Sequence, residues 1–209
     1  NLRNKVILLI SIIFSLIFFF SYPKLFSLEN IDLDKEYLRL FTQADKLRRD
    51  GKFEESIKRF EKALNIAKKI SYKNKECESL LNLGLLYWNI GNLKKSSDYY
   101  EQALTLAQKS NLKNEIEASR NALEIYRLYE EGKKFRDSGE YQKSIESFNK
   151  AIDLARAIDS NEHLVKCLRL VSFTYWESNK LREFHLLNEE ALNIAKKLNH
   201  LREEGRCRN

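Results

Sequence analysis

A single proline and six glycines in 209 residues leave little to interrupt helices, and methionine is absent altogether. Proline and glycine break helices and shape the turns between strands, so their scarcity argues against a strand-rich fold. Leu, Lys, Glu, Ala and Ile dominate instead, and charged residues reach 32%, the profile of a chain that is helical nearly throughout. The three cysteines, Cys77, Cys167 and Cys207, lie far apart with no CxxC pair, which suggests neither a disulfide framework nor a zinc site. They are read as small buried apolar residues.

Chemistry is equally thin. Neither GxGxxG nor a GxxxxGKS or GxxxxGKT loop occurs, so no glycine-rich loop is available to cradle a phosphate. His163, His185 and His200 form no HExxH or i, i+4 pair, and no Ser or Cys sits in a recognisable nucleophile setting. The expectation is no enzyme activity, no cofactor and no metal. The formal net charge of +7 could favour acidic partners or nucleic acid, but the basic residues alternate with Glu along the expected helices, which reads as a solvated surface. Nucleic acid is therefore not an expected partner.

What is present begins with an apolar run. Arg3 and Lys5 precede Val6 to Phe20, VILLISIIFSLIFFF, and the apolar character extends to Tyr22. As a helix, residues 6–22 would span about 25 Å, the short end of what crosses a bilayer and slightly more than a signal-peptide core. Cleavage needs small residues near the site, whereas FFFSYPKLFSLEN offers isolated serines and no Ala precedes Ala44, so an uncleaved anchor is favoured over a cleaved signal. A buried core helix is the third reading. Without a following Cys, a lipoprotein anchor is excluded. Basic residues before the run and Glu29, Asp32, Asp34 and Glu36 after it place the N-terminus in the cytoplasm and the body outside it. The expected organisation is a signal-anchor or transmembrane helix over 1–22 and a linker over 23–36.

The body repeats one phrase four times: RRDGKFEESIKRFEKAL, WNIGNLKKSSDYYEQAL, RDSGEYQKSIESFNKAI and ESNKLREFHLLNEEAL. Gly51, Gly91, Gly139 and Asn179 mark the turns, at spacings of 40, 48 and 40 residues, and a left-handed cap between two helices requires Gly or Asn there. Apolar residues recur at helical spacing on both sides, as in Leu80, Leu83 and Tyr87 before Gly91 and Leu93, Tyr100, Ala103 and Ala107 after it. Each unit is thus a hairpin of two amphipathic helices, over 37–70, 77–110, 125–158 and 165–198. Small residues hold equivalent places in the first helix (Ala44, Gly84, Gly132, Ser172) and in the second (Ala63, Ala103, Ala151, Ala191), where helices approach closely.

This pattern resembles the tetratricopeptide repeat family. The second unit matches its signature at Leu80, Leu83, Gly84, Tyr87, Gly91, Leu93, Ser96, Tyr100 and Ala103, and the third at Gly132, Phe135, Gly139, Tyr141, Ser144, Phe148 and Ala151. The resemblance covers Tyr37 to Lys197 and implies an all-α, right-handed superhelical solenoid. Two features depart from it. The closing Pro is missing and the spacing exceeds the usual repeat of about 34 residues, similar to the longer-period members. Ser56, Ser96, Ser144 and Phe184 replace the first Ala of the second helix, and Phe184 implies altered packing in the fourth unit.

A second order appears at an offset of 88 residues: Phe60 with Phe148, Tyr87-Trp88 with Tyr175-Trp176, and Lys109 with Lys197. A two-hairpin unit is inferred to have been duplicated. The eight extra residues between the pairs fit about two turns added to a helix near 114–137, expected to alter the curvature midway. Residues 199–209 read as the start of a truncated fifth unit. With no initial Met and no polar terminal cap, a piece of a longer protein is expected.

In this family the first helices line a concave groove. Mapped here, the resemblance implies Asp45, Arg48 and Arg49 in the first unit and Asn82, Leu85, Trp88 and Asn89 in the second. It implies Tyr126, Tyr129, Lys133 and Arg136 in the third, and Arg169, Phe173 and Trp176 in the fourth. Aromatic and Arg residues are common anchors of protein interfaces. Trp88 and Trp176, one residue past the packing Tyr, fit equally well as wedges between hairpins. Some relatives clamp a C-terminal carboxylate with Lys and Asn. Phe41 and Asp45 occupy those places here, with only Asn82 matching, so the clamp is not carried over. The expected function is a membrane-tethered scaffold, extracytoplasmic or secreted if cleaved, that binds a peptide or protein segment. The alternative is the sensor or docking region of a larger signalling or proteolytic protein with a catalytic domain beyond Asn209.

Overall fold

The structure, a computed structural model, describes residues 23–198 and 200–208. The apolar run over 6–22 lies outside them. No helix among the described residues is long and apolar enough to cross a membrane. They form α1 (Pro23–Arg49), α2 (Phe53–Lys69), α3 (Lys73–Ile90), α4 (Leu93–Lys109), α5 (Lys113–Asp137), α6 (Tyr141–Ala157), α7 (Asn161–Glu177), α8 (Leu181–Lys197) and α9 (Leu201–Arg208). Each helix packs chiefly on its neighbours in sequence, so the chain is a row of antiparallel hairpins.

The segment expected as a linker, 23–36, is instead the beginning of α1. Proline is tolerated in a helix's first turn, where its missing N–H has no partner to lose. Contacts hold the second half of this stretch in the stack. Asp34 pairs with Lys75 of α3, and the Tyr37 hydroxyl donates to the Lys75 carbonyl at 3.2 Å. Tyr37, Leu40 and Ala44 are buried at the i, i+3/i+4 spacing of one helical face.

The turns follow one design. At the end of α3 the Gly91 N–H donates to the Trp88 carbonyl at 3.0 Å and the Asn92 N–H to the Tyr87 carbonyl at 2.9 Å. This bond pair defines a Schellman cap and needs a left-handed residue, here Gly91 at φ 84°. Asn179 takes the same role at φ 60°. Asn tolerates this conformation better than most side chains do.

Within hairpins, small residues admit rings. A Cβ on Gly84 would sit 2.4 Å from Tyr100 Cε1, and one on Gly132 2.8 Å from Phe148 Cε1. Ser56, in a place where the family has Ala, is buried and donates its hydroxyl to the Ala44 carbonyl at 2.7 Å, tying α2 to α1. The fourth hairpin is less covered. Only Ala191 and Ala195 of α8 are buried, while Leu181 and Leu186 are exposed.

Helix α7 departs from a one-faced pattern. His163 to Leu168, followed by Leu170 and Val171, are all buried, a band wider than one helical stripe. A helix apolar on several sides is covered on several sides. Besides its neighbours α6 and α8, α7 reaches back to the second hairpin, where the Tyr100 hydroxyl and His163 Nε2 lie 3.1 Å apart. Long α5 separates the two pairs of hairpins. Trp88 accordingly belongs to the same apolar core as Ile125, Val165 and Leu168.

Candidate functional site

The residues implied for a continuous concave groove divide into a covered half and an open half. Trp88 is fully buried, and Asn89 and Tyr129 are buried with it. Tyr129 meets the Trp88 ring edge-on, 4.6 Å between centroids, and the His163 ring lies 5.0 Å from it. These three residues are therefore corrected from groove-lining to core, and Trp88 acts as a wedge. The cause is α7. Lys166, 2% exposed, donates to the carbonyls of Trp88 and Asn89 and lies over the Trp88 ring at 5.4 Å. An ammonium at a helix C-terminus is favoured by the partial negative charge of the last carbonyls.

The first-unit residues are tied down by ion pairs. Asp45 accepts from Arg48 at 2.7 Å and from Arg49 at 2.5 Å. Burial works to raise the Asp45 carboxyl, but these two guanidiniums outweigh it and hold the group below its usual range. Arg48 also pairs with Glu162 at the start of α7, joining the first hairpin to the fourth. The Asn82 amide donates to the Glu78 carbonyl in its own helix at 2.9 Å, and Leu85 and Tyr126 pack half-buried against the main core. Lys133 pairs with Glu130 at 3.1 Å.

The remaining four residues come together. Arg169, Phe173 and Trp176 border a cavity of about 560 Å³ between α7, α8 and α9, completed by Phe184, Asn188 and Arg206. Phe173 is 39% and Trp176 50% exposed, and their rings stack at 5.3 Å. The Arg136 guanidinium lies over the Phe173 ring at 5.6 Å, within cation–π range, and pairs with Asp137 at 2.8 Å. Arg169 and Arg206 both bind Glu203, at 3.0 and 2.7 Å. Burial acts to raise the Glu203 carboxyl, but Lys166, Arg169 and Arg206 prevail and keep it ionised below its ordinary range. Arg136 also pairs with Glu177 at 3.7 Å, so the cavity offers stacked aromatic surface beside a cation already matched by two carboxylates.

Three buried residues packed among the groove candidates escaped the sequence reading: His163, Lys166 and Glu203. Charged side chains here were expected on solvated faces, yet Glu203 is fully buried. The available signal was Lys166 itself, alone in the apolar string LVKCL. The three cysteines are buried, as expected, and burial pushes the thiols of Cys77 and Cys207 up to about 11 and that of Cys167 up to about 12. Among the described residues, no group of three or more His, Cys, Asp or Glu side chains could hold a metal ion.

Comparison with known proteins agrees with this architecture. Two models of the tetratricopeptide repeat match, over residues 39–109 and 128–158. No curated protein matches the sequence. Among solved structures, the chain is similar to BtubC (BKLC) from P. vanneervenii at 16% identity and TM-score 0.42, with 85% of this chain and 69% of that chain covered. A Rap protein complexed with Competence and Sporulation Factor is similar at 17% identity and TM-score 0.48, covering 78% of this chain and 44% of that one. The Rap conjugation gene regulator of the plasmid pLS20, in complex with the Phr* peptide, aligns at 16% identity and TM-score 0.48, covering 83% and 45%. The chain spans less than half the length of either Rap protein. The all-helical row of hairpins thus contains tetratricopeptide-repeat matches in both its first and its second half, over residues 39–109 and 128–158.

Proposed function

We propose that this chain is a protein-interaction scaffold, not an enzyme, that captures a peptide or protein segment at the open end of its concave side. One observation carries the reading: the half-exposed Phe173–Trp176 stack, edged by Arg136, borders a cavity large enough for several side chains. Exposed aromatic pairs beside Arg are costly to leave in water and common among interface anchors. The charged apolar-run arrangement at the N-terminus supports tethering, with Val6 to Tyr22 as anchor and the repeats on the extracytoplasmic side.

The binding reading is tested by affinity capture from the native host with the chain and with a variant carrying Arg136→Ala, Phe173→Ala and Trp176→Ala. Partners captured by the parent chain and lost by the variant are expected. An identical set from both overturns the site. For topology, alkaline phosphatase fused after Asn209 is expected to be active in a bacterial host, and an inactive fusion overturns the outside placement.

A further inference from the structure

Three of the groove candidates meet in the middle of the chain, away from the Phe173–Trp176 stack. Arg48, Asn82 and Leu85 border a cavity of about 330 Å³. Tyr100 lines it from α4, and Glu162 and His163 line it from the start of α7.

The cavity lies within the contact that joins α7 to the first two hairpins, and the polar ends of three side chains make that contact. Glu162 pairs with Arg48 of α1. His163 Nε2 lies 3.1 Å from the Tyr100 hydroxyl of α4, and the Lys166 ammonium donates to the carbonyls of Trp88 and Asn89 at the end of α3. Glu162, His163 and Lys166 fall within the first two turns of α7, and Glu162 and Lys166, four residues apart, share one side of it.

Closing this contact leaves polar groups unanswered. Trp88 Nε1 and both amide atoms of Asn89 are buried with no hydrogen-bond partner among the described residues. Such atoms forfeit the hydrogen bonds that water would give them, and the walls of a void forfeit dispersion contacts. His163 and Lys166, which make the contact, are themselves polar groups taken out of water. The hairpin interiors are of the opposite kind. There Tyr100 and Phe148 approach Gly84 and Gly132 so closely that a Cβ would collide with their rings. Water therefore competes with the α7 contact as it does not with the hairpin interiors.

We infer that the start of α7 is a lid: it docks on the first two hairpins through Glu162, His163 and Lys166, and it lifts from them while the helices stay folded. Lifting it hydrates the Trp88 indole N–H and the Asn89 amide and opens the cavity, so that Asn82, Leu85 and Trp88 become available to a ligand. A ligand of the first two hairpins competes with the chain's own α7. The lid goes beyond the capture site at Phe173 and Trp176 and stands if that site fails.

The test reads Trp88 directly. Trp176→Phe leaves Trp88 as the sole tryptophan and keeps an aromatic ring beside Phe173. In the full chain held in detergent, Trp88 emission is expected to be blue and poorly quenched by acrylamide. Urea is expected to raise the quenching at concentrations below those that reduce the far-UV circular dichroism. Glu162→Arg, which sets two guanidiniums against each other, is expected to shift the emission to the red and to raise the quenching constant at least about threefold, with the helical signal unchanged. Arg48→Glu, which sets two carboxylates against each other, is expected to act alike. Quenching that rises only together with loss of circular dichroism overturns the inference, because α7 is then part of one cooperative core. So does a quenching constant unchanged in both charge-reversal variants. Should those variants fail to fold, the urea comparison on the Trp176→Phe chain decides alone.

Discussion

Lys166, on the first helix of the fourth hairpin, donates its ammonium hydrogen to the carbonyl of Trp88 at the end of the first helix of the second. The contact crosses 78 residues and ties the fourth hairpin to the second. It also gives a buried cation two carbonyls, an indole face and the carboxylate of Glu203 as surroundings.

Lys166→Met keeps the length of the side chain and removes the donor. The carbonyls of Trp88 and Asn89 lose a buried hydrogen-bond partner, so the expected loss is about 1–3 kcal/mol. Urea unfolding followed by far-UV circular dichroism measures it as a lower midpoint. A midpoint unchanged from the parent chain would show that α7 is held by its apolar residues alone.

Gly84→Ala gains roughly 1 kcal/mol of helix propensity yet places a methyl 2.4 Å from a Tyr100 ring atom. Tyr100 cannot swing away freely, since its hydroxyl meets His163 Nε2 at 3.1 Å and the ring is 1% exposed. Overpacking of this kind costs about 1–3 kcal/mol, so the net effect is a lowered melting temperature. Gly132→Ala, facing Phe148, acts in the same direction. A raised melting temperature in either variant contradicts the close ring approach.

His163 is expected to make stability depend on pH. Burial, and then the neighbouring Lys166 charge, lower its value from 6.5 to about 3, so the ring is neutral in the fold. Its Nδ1 lies 2.6 Å from the Ser160 hydroxyl. Below pH 6.5 the unfolded chain takes up a proton that the folded chain refuses, so this contribution is complete above 6.5 and is lost as pH falls towards 3. The slope reaches about 1.4 kcal/mol per pH unit. Unfolding midpoints between pH 7 and pH 5, above the range where carboxylates titrate, isolate the effect. His163→Gln is expected to flatten the profile there.

Arg48 and Glu162 join hairpins one and four, with side chains 18% and 15% exposed. Contacting charges in such settings couple by roughly 0.5–3 kcal/mol. A double-mutant cycle with Arg48→Ala and Glu162→Ala, read by urea unfolding, is expected to give a value in that range. Strict additivity of the two losses would mean that the pair does not hold the ends together.

The sequence by itself determined the helices, the hairpins and their turns. Gly91 and Asn179 advertise left-handed caps because so few residue types tolerate them, and Gly84 and Gly132 advertise close approach because a Cβ there would meet the rings of Tyr100 and Phe148. These are local demands between residues on neighbouring helices, and local demands leave local marks. The start of α1 left no such mark: 23–36 reads as a linker, and the contacts of Asp34 and Tyr37 with Lys75 hold its second half as helix. Only the tertiary structure decided which aromatic faces stay open. Trp88 and Trp176 occupy the same place in the same phrase, yet one is buried and the other half exposed. The difference is α7, which long α5 allows to fold back across the second hairpin, and no spacing around Trp88 encodes the arrival of Lys166 from 78 residues away.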